Sequence, residues 1–543
     1  MPSRPRRRPG IRRGRAACWL AALAGSIVLA GCMVGPDYTR PAVDLADHWS
    51  DAKGQGAIAA DVTGSWWKQF HDPVLDALVT AALSQNLTLR QAGLRVIQSR
   101  ALRGIAAGAF FPQAQAVTGE ATSQRTSRNT PLGGGDRTYD SAALGLEAAW
   151  ELDFWGRFRR GIESADASLE ASVADYDAFL VALAGDVALA YVRVRSLQEQ
   201  LGFTRANVLA QQDTLALIQV RFNAGAVSEL DVATAQATLS NTQALVPQLE
   251  DALRQTKLTL GVLLGRTPSE LEAQLAGAAA VPAPPAEIAL GVPADLLRRR
   301  PDVRRAERDA AALSAQIGVA KADYYPSISI TGSTGFRTTT FQSARGSARL
   351  PTLFDADSFE GFVGLGVHWP VLDYGRIANN VRAADARFQQ AVVAFQNTVL
   401  EAAADVESGL SGFLRSREQA AFLAASVSAA QRTVELSLIQ YRQGAVDFLR
   451  VNQAQVDLVQ RQNSLVVARA NVAQGAIATW RALGGGWEVR AGMEFVPRDT
   501  IEAMRARTDW GDILSPEYAD GSDFFLFPRP NPDAPLPGGR PRQ

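Results

Sequence analysis

Residues 169–222 read LEASVADYDAFLVALAGDVALAYVRVRSLQEQLGFTRANVLAQQDTLALIQVRF, and the spacing of their apolar side chains decides the fold. From Leu169 the positions 173, 176, 180, 183, 187, 190, 194, 197, 201, 204, 208, 211, 215, 218 and 222 follow in alternating steps of four and three, with Thr204 and Gln211 as the polar interruptions. A 3.5-residue period held over several heptads is the signature of coiled-coil packing. A helix from about Arg157 to Phe222 is roughly 100 Å long at 1.5 Å per residue. Gly225 ends the pattern and a second helical pattern returns after it, which points to an antiparallel hairpin within one chain rather than a simple two-chain coiled coil.

The same arrangement occurs twice. Leu83 to Ala92 aligns with Leu297 to Ala306 at an offset of 214, which also places Phe110-Phe111-Pro112 on Tyr324-Tyr325-Pro326. From Trp150 on Trp369 the offset is 219, matching Trp155-Gly156-Arg157 to Tyr374-Gly375-Arg376 and Phe222-x-x-Gly225 to Tyr441-x-x-Gly444. Two units of one design therefore follow each other, 75–265 and 294–487, joined by a Pro/Ala-rich linker at 266–293. The second return helix carries two apolar seams, Val451/Leu458/Leu465/Val472 and Val456/Val459/Val466/Ala473/Ile477, so it can pack on both sides as in a cylinder wall.

Each unit also contains two stretches of period two. In the second, Ile328, Ile330, Gly332, Thr334 and Phe336 alternate with Ser and Thr, and Val363, Leu365, Val367, Trp369 and Val371 alternate with Gly and His. In the first, Leu144, Leu146, Ala148, Trp150 and Leu152 alternate with Gly145, Glu147 and Glu151, while 112–122 is less distinct. The strands expected at 112–122, 142–152, 326–336 and 361–371 have the length of tilted membrane strands with one apolar face. Four strands cannot close a barrel, and an open edge in lipid is untenable, so the chain must oligomerise. Two copies give eight strands and a filled interior; three give twelve and room for a bore.

Composition excludes other classes. The 543 residues hold 55 basic and 55 acidic side chains, so bulk charge does not mark a nucleic-acid binder. Two cysteines and three scattered histidines offer neither a disulfide framework nor a metal site, and no spacing of acids singles out a catalytic pair, so an enzyme is not expected. Gly133-Gly134-Gly135 and Gly484-Gly485-Gly486 lack the setting of a phosphate loop. Residues 1–31 carry seven arginines and a short apolar run, the pattern of a secretory signal, and Leu29-Ala30-Gly31-Cys32 looks like a bacterial lipobox in which Cys32 is lipidated. Loss of those seven arginines leaves 48 basic against 55 acidic residues, a net of about −7. Met33 after the cysteine, under the usual sorting rule, implies the outer membrane. No helical span is expected beyond Cys32, so if the chain crosses a membrane it does so as strands, a soluble hairpin packed on a core being the alternative reading of the alternating segments.

The chain resembles the TolC family of outer-membrane efflux proteins, in its lipoprotein branch serving multidrug (RND-type) pumps. The resemblance covers 32 to about 487 and rests on Cys32-Met-Val-Gly35-Pro36-Asp37-Tyr38 with Pro41, on Trp66-Trp67-x-x-Phe70-x-Asp72-Pro73-x-Leu75, on Trp155-Gly156-Arg157, on both hairpin turns and on Ala482-Leu483-Gly484-Gly485-Gly486-Trp487. It implies a mostly α fold with a membrane β-barrel: a homotrimer with twelve strands, four from each chain, and a periplasmic tunnel of helical hairpins. It further implies a passive conduit carrying small toxic compounds outward, whose tips meet a periplasmic adaptor and through it an inner-membrane transporter, with no cofactor beyond the lipid on Cys32.

By that resemblance Gly225, Ala226, Val227, Ser228, Gly444, Ala445, Val446 and Asp447 form the adaptor-contacting tips near 222–229 and 441–447. Asp231 and Tyr441 fall where relatives carry gate-holding contacts, and Leu449 where some carry an apolar ring. Arg450 and Gln453 stand where an acidic ring often narrows the entrance, which departs from the pattern. The segment 32–74 is expected as a lipidated periplasmic lead-in, and the tail 488–543 as poorly ordered. A coiled-coil spacer lipoprotein, and a duct for a protein or metal transporter, are the alternatives; the alternating strands speak against the spacer.

Overall fold

The computed structural model describes residues 33–43, 49, 57–58, 64–127, 129, 137–277, 280–289, 298–340, 352–491, 493–515 and 518. Helices α1 (Pro73–Gln85) and α2 (Leu87–Gly108) lead into strands β1 (Ala114–Arg125) and β2 (Thr138–Leu152), then into α3 (Arg157–Asn223) and its return α4 (Glu229–Leu264). The second unit repeats this as α5 (Pro301–Ala322), β3 (Ser327–Thr339), β4 (Phe359–His368), α6 (Arg376–Arg442) and α7 (Phe448–Ala482). The signal segment and Cys32 lie outside the described residues.

Helices α3 and α6 each run 67 residues, about 100 Å. Their returns are about half as long, 36 and 35 residues. The upper half of α3 is covered instead by α2 and α5, and α5 also packs on α6, tying the two units together. The 3.5-residue seam faces inward: of its sixteen positions only Phe222, at the tip, is exposed.

The four strands form one antiparallel sheet in the order β1-β2-β3-β4. Register sets one side chain opposite the next, so Trp150, Ile330 and Leu365 form one row across the sheet and Leu152, Ile328 and Val367 another. These rows share a face with Val117 and Leu146, and that face is bare: Val363 is 84% and Leu365 72% exposed. The opposite face is polar, with Thr118 bonded to Glu147 (3.2 Å), Thr122 to Ser141 (2.7 Å) and Arg337 to Glu360 (2.7 Å). Among the described residues both edges, β1 and β4, lack a partner. The strand ends differ from the sequence expectation where proline intervenes: β1 begins at Ala114, after Pro112, and β4 stops at His368, before Pro370. Proline has no N–H to offer a ladder.

Where the sheet meets the helices, aromatic side chains gather as at a membrane boundary. Trp155 stacks on Tyr325 at 4.5 Å and donates its indole N–H to the Pro326 carbonyl (2.8 Å); Trp369 donates to that of Tyr324 (3.0 Å). The N-terminal segment is strapped onto this level. Val34 N–H bonds the Trp155 carbonyl (3.0 Å), and the buried Arg160 reaches the Val34 carbonyl (3.2 Å), Asp37 (2.7 Å) and Glu163 (2.7 Å). Gly35 lies against Gly318 so closely that a Cβ on it would stand 2.5 Å from the Gly318 Cα.

Midway along the molecule sits the main core. Trp66 stacks on Trp480 at 5.4 Å, Phe70 meets Trp480 edge-on at 5.6 Å, and both tryptophans are fully buried. Tyr191 donates to Asp72 (2.6 Å), the cap of α1, and burial with that carboxylate pushes its phenol up to about 12. The fully buried Asp177 meets Arg490 at 2.5 Å and Arg304 at 3.7 Å; burial raises its carboxyl and the guanidinium groups oppose that.

The expectation of a poorly ordered tail from 488 is corrected for residues 488–491 and 493–515. The short helix α8 (Arg498–Arg505) and its flanks bury Val496, Met504 and Leu514 against Ile97 of α2, and Arg100 donates to the Ile513 and Ser515 carbonyls (3.0 and 3.1 Å). A handful of widely spaced apolar side chains suffices because α2 already presents the matching surface. The stretch expected as linker holds a short helix, Pro268–Gln274, and a two-residue strand, Ile288–Ala289, that pairs in parallel with Ala57–Ile58.

Candidate functional site: the hairpin tips

The two tips are built alike. After α3 the Gly225 N–H bonds the Phe222 carbonyl (2.8 Å) and Ala226 N–H that of Arg221 (2.8 Å); after α6 Gly444 bonds Tyr441 (3.0 Å) and Ala445 bonds Gln440 (2.9 Å). This pair of bonds closes a helix through a left-handed residue, and φ is +69° at Gly225 and +75° at Gly444. Ala226, Ser228, Ala445 and Asp447 are exposed, and Val227 and Val446 are half-buried. Leu230 and its repeat mate Leu449 stand 74% and 63% exposed beside the turns.

The return helices start on side-chain caps. Ser228 and Asp231 form a reciprocal box on α4: the Ser228 hydroxyl accepts from Asp231 N–H (3.4 Å) and the Asp231 carboxylate accepts from Ser228 N–H (3.1 Å). Asp447 caps α7 by accepting from Arg450 N–H (3.2 Å). Ser228→Ala should therefore fray the first turn of α4 by about 1 kcal/mol, roughly a fivefold faster amide exchange at residues 230–231, readable by hydrogen–deuterium exchange. An unchanged rate would show that the Asp231 half of the box suffices.

Above the turns an apolar cluster of Ile218, Ala235, Tyr441, Phe448 and Val451 joins the hairpins. Tyr441 is 2% exposed, and its hydroxyl has no hydrogen-bond partner among the described residues. Of the residues placed at a gate by resemblance, Asp231 thus serves the cap of its own helix, and Tyr441 is a core ring with its edge on Phe448. Leu449, Arg450 and Gln453 are exposed at the start of α7, and Gln453 bonds Asp457 one turn on (3.1 Å). Leu449, Gln453, Val456 and Gln460 form an uncharged stripe that α7 leaves open in the single chain. Sequence reasoning missed Arg221, whose guanidinium spans the two hairpins: it donates to the Tyr441 carbonyl (2.9 Å) and the Arg442 carbonyl (2.8 Å), and lies 4.6 Å from the Tyr441 ring centroid. Its position between seam residues Ile218 and Phe222 carried no signal of this partner.

Among the described residues no group of three His, Cys, Asp or Glu side chains is placed to hold a metal ion, and no helix is long and apolar enough to cross a membrane.

Comparison with known proteins agrees with this geometry. The sequence profile of the family described as "Outer membrane efflux protein" matches residues 78–266 and 292–485, one stretch for each unit. The chain is 32% identical over 473 residues to nodulation protein T of Rhizobium leguminosarum bv. trifolii, covering 87% of this chain and 96% of that one. It is 30% identical over 478 residues to the toluene efflux pump outer membrane protein TtgF of Pseudomonas putida, covering 86% and 96%. Among solved structures, the outer-membrane channel OprN superposes with a TM-score of 0.78 at 32% identity, over 84% of this chain and all of that one.

Proposed function

The chain belongs to the outer membrane efflux protein family, and from that premise we propose that three copies form a passive duct through which an efflux pump expels small toxic compounds across the outer membrane. The observation that carries this reading is the four-stranded sheet with one bare apolar face, one polar face and two open edges. Within a chain, β2 of the first unit pairs with β3 of the second. The repeat makes the pairing of β4 with β1 of the next copy the equivalent joint. Three copies then close twelve strands around a polar bore, and no edge is left in lipid. The helices follow the same rule: α5 bridges α3 and α6, and α2, its counterpart with Leu102 and Ile105 exposed, is left to meet α6 of the neighbour. The hairpins continue the bore into the periplasm.

Lipidation of Cys32 fits the strap that holds Val34 at the level where strands become helices, since an acyl chain on the residue before Met33 enters the bilayer there. The exposed tips, Gly225 to Ser228 and Gly444 to Asp447, are the contact for a periplasmic adaptor attached to an inner-membrane transporter, which supplies the energy and selects the cargo. Leu449, Arg450 and Gln453, exposed at the start of α7, line the entrance that must open, with Leu449 as its apolar rim, while Tyr441 joins the hairpins behind it and Asp231 caps α4. The test is photo-crosslinking from Ala226 and Ala445 in living cells. Capture of a periplasmic adaptor, with a transporter recovered alongside, is the expected result. Capture of cell-wall species alone in actively exporting cells would favour the structural spacer instead.

A further inference from the structure

At the level of the main core a cavity of about 680 Å³ opens where α7 ends and α5 begins, bounded by α3 and α6. It lies on the side of these helices away from the Trp66–Trp480 pair: Asn471, Ala478 and Arg481 of α7 and Asp405, Ser408 and Gly412 of α6 line it and are exposed. Ala178 and Ala182 of α3 stand on that side too. Arg157 precedes Ala178 by about six turns at the seam's 3.5-residue period, and it meets Glu151 (3.7 Å), which shares the polar face of the sheet with Glu147. In the trimeric duct the cavity therefore faces the bore.

Packing does not call for this space. Gly409 and Gly475 bring α6 and α7 together, since a Cβ on them would stand 2.8 Å from the Thr479 nitrogen and 2.6 Å from that of Phe413. Gly412, one turn on, has nothing within 4 Å of its Cβ position. A glycine inside a helix is destabilising, and here no close approach offsets it. The first hairpin carries larger side chains at the same positions: the mates of Ser408, Gly412 and Ser416 are Leu189, Arg193 and Leu197, and those of Gly475 and Ala478 are Thr256 and Thr259. The recess thus belongs to this sequence rather than to the repeat.

The end of the recess nearest α5 is anionic. Arg300 is shared between Asp302 (2.9 and 3.0 Å) and Asp405 (2.8 Å), two carboxylates on one guanidinium, which leaves one negative charge in excess. Asp405 gives that bond one oxygen, its other oxygen accepts from no described residue, and its side chain is 56% exposed. Arg481 pairs with Asp186 (2.8 Å) and adds no net charge. Between these ends the wall is small and apolar at Ala178, Ala182 and Ala478, with the amides of Asn471 and Gln474 beside them. The volume is that of a small-molecule site.

We propose that this recess is a binding site in the duct wall for organic amines, in which the ammonium donates to Asp405 and an apolar body lies along Ala178, Ala182 and Ala478. The proposal rests on the trimeric duct above, where three such recesses stand around the bore and basic cargo lodges in them on its way out. The full-length lipidated trimer in lipid nanodiscs tests it, with fluorescence anisotropy of three probes that share one body: naphthylmethylamine, naphthylmethanol and naphthylacetate, each read against nanodiscs without protein. The amine should bind about tenfold more tightly than the alcohol, the worth of one charge-assisted hydrogen bond, and the carboxylate should bind most weakly. Asp405→Asn should remove the difference between amine and alcohol, while Arg300 keeps Asp302. Gly412→Phe fills the recess without touching the packing of α6 on α7 and should weaken both amine and alcohol about tenfold or more. Equal binding of amine and alcohol to the wild type overturns the proposal, as does a preference for the amine that survives Asp405→Asn. Unchanged amine affinity in an assembled Gly412→Phe trimer overturns it too, and if that variant fails to assemble, Asp405→Asn decides alone. A wild-type trimer that conducts in planar bilayers but binds no amine overturns this site only, whereas a chain that forms no pore overturns the duct.

Discussion

Arginine at Leu365 is expected to abolish stable insertion, whereas arginine one residue earlier, at Gly364, leaves the protein in the membrane. Leu365 lies in a row with Ile330 and Trp150 on the bare apolar face and is 72% exposed in the single chain. If that face meets lipid, a guanidinium there costs about 2–4 kcal/mol near the bilayer midplane, and a trimer bears the cost three times. Gly364 points to the polar face. A Cβ there meets only the Phe362 ring (3.6 Å) and the Thr331 hydroxyl (3.7 Å), both ordinary contacts, so a long polar side chain can extend into the bore. The readout is the fraction of heat-resistant oligomer in outer-membrane extracts. Equal retention of the two variants, or loss of Gly364→Arg alone, would show that the face carrying Leu365 is not the one that meets lipid, since one residue of register exchanges the faces.

The second large effect concerns the joint of the two units. Trp480→Ala should destabilise the helical body by about 3–5 kcal/mol, at the upper end for a single core truncation. Trp480 is fully buried, stacked on Trp66 and edge-on to Phe70, so its removal strips one residue from α7 and unseats the segment that precedes α1. Leu483 and Ile477 flank it within the same core and cannot collapse into the space without moving the helix. Denaturant unfolding followed by tryptophan fluorescence, with limited proteolysis around residue 70, checks this. A shift in the midpoint corresponding to less than about 1 kcal/mol would show that the Trp66 pair contributes little beyond its area.

The long helices and the second pair of strands were legible because one period runs unbroken through each: the 3.5-residue seam from Leu169 to Phe222, and the alternation from Ile328 to Phe336. Strand β1 was indistinct for a physical reason. As an edge stave its apolar-face positions are Gln115, Val117, Gly119, Ala121 and Ser123, which leave little contrast with the polar face. The tail around α8 escaped because eight residues of helix and scattered apolar anchors have no period to detect. Asp231 shows a different limit. The Ser228-x-x-Asp231 spacing reads as a capping box in its own right, and the structure gives its carboxylate to that local task. The buried Arg160 and Arg100 and the half-buried Arg221 were invisible, since each finds partners more than 100 residues away in sequence. The side chains of Arg160 and Arg100 can be buried because those carbonyls and carboxylates complete their hydrogen bonding.

The most direct test of the duct is real-time release of a preloaded fluorescent amphiphile from native cells, compared between intact cells, cells lacking this chain, and cells complemented with either the wild type or Leu365→Arg. The account predicts that re-energised cells release dye with the wild-type chain, retain it without the chain, and retain it with Leu365→Arg. Equal release from all four, for every compound the cells expel, would contradict a role in export and leave the helical hairpins as a spacer.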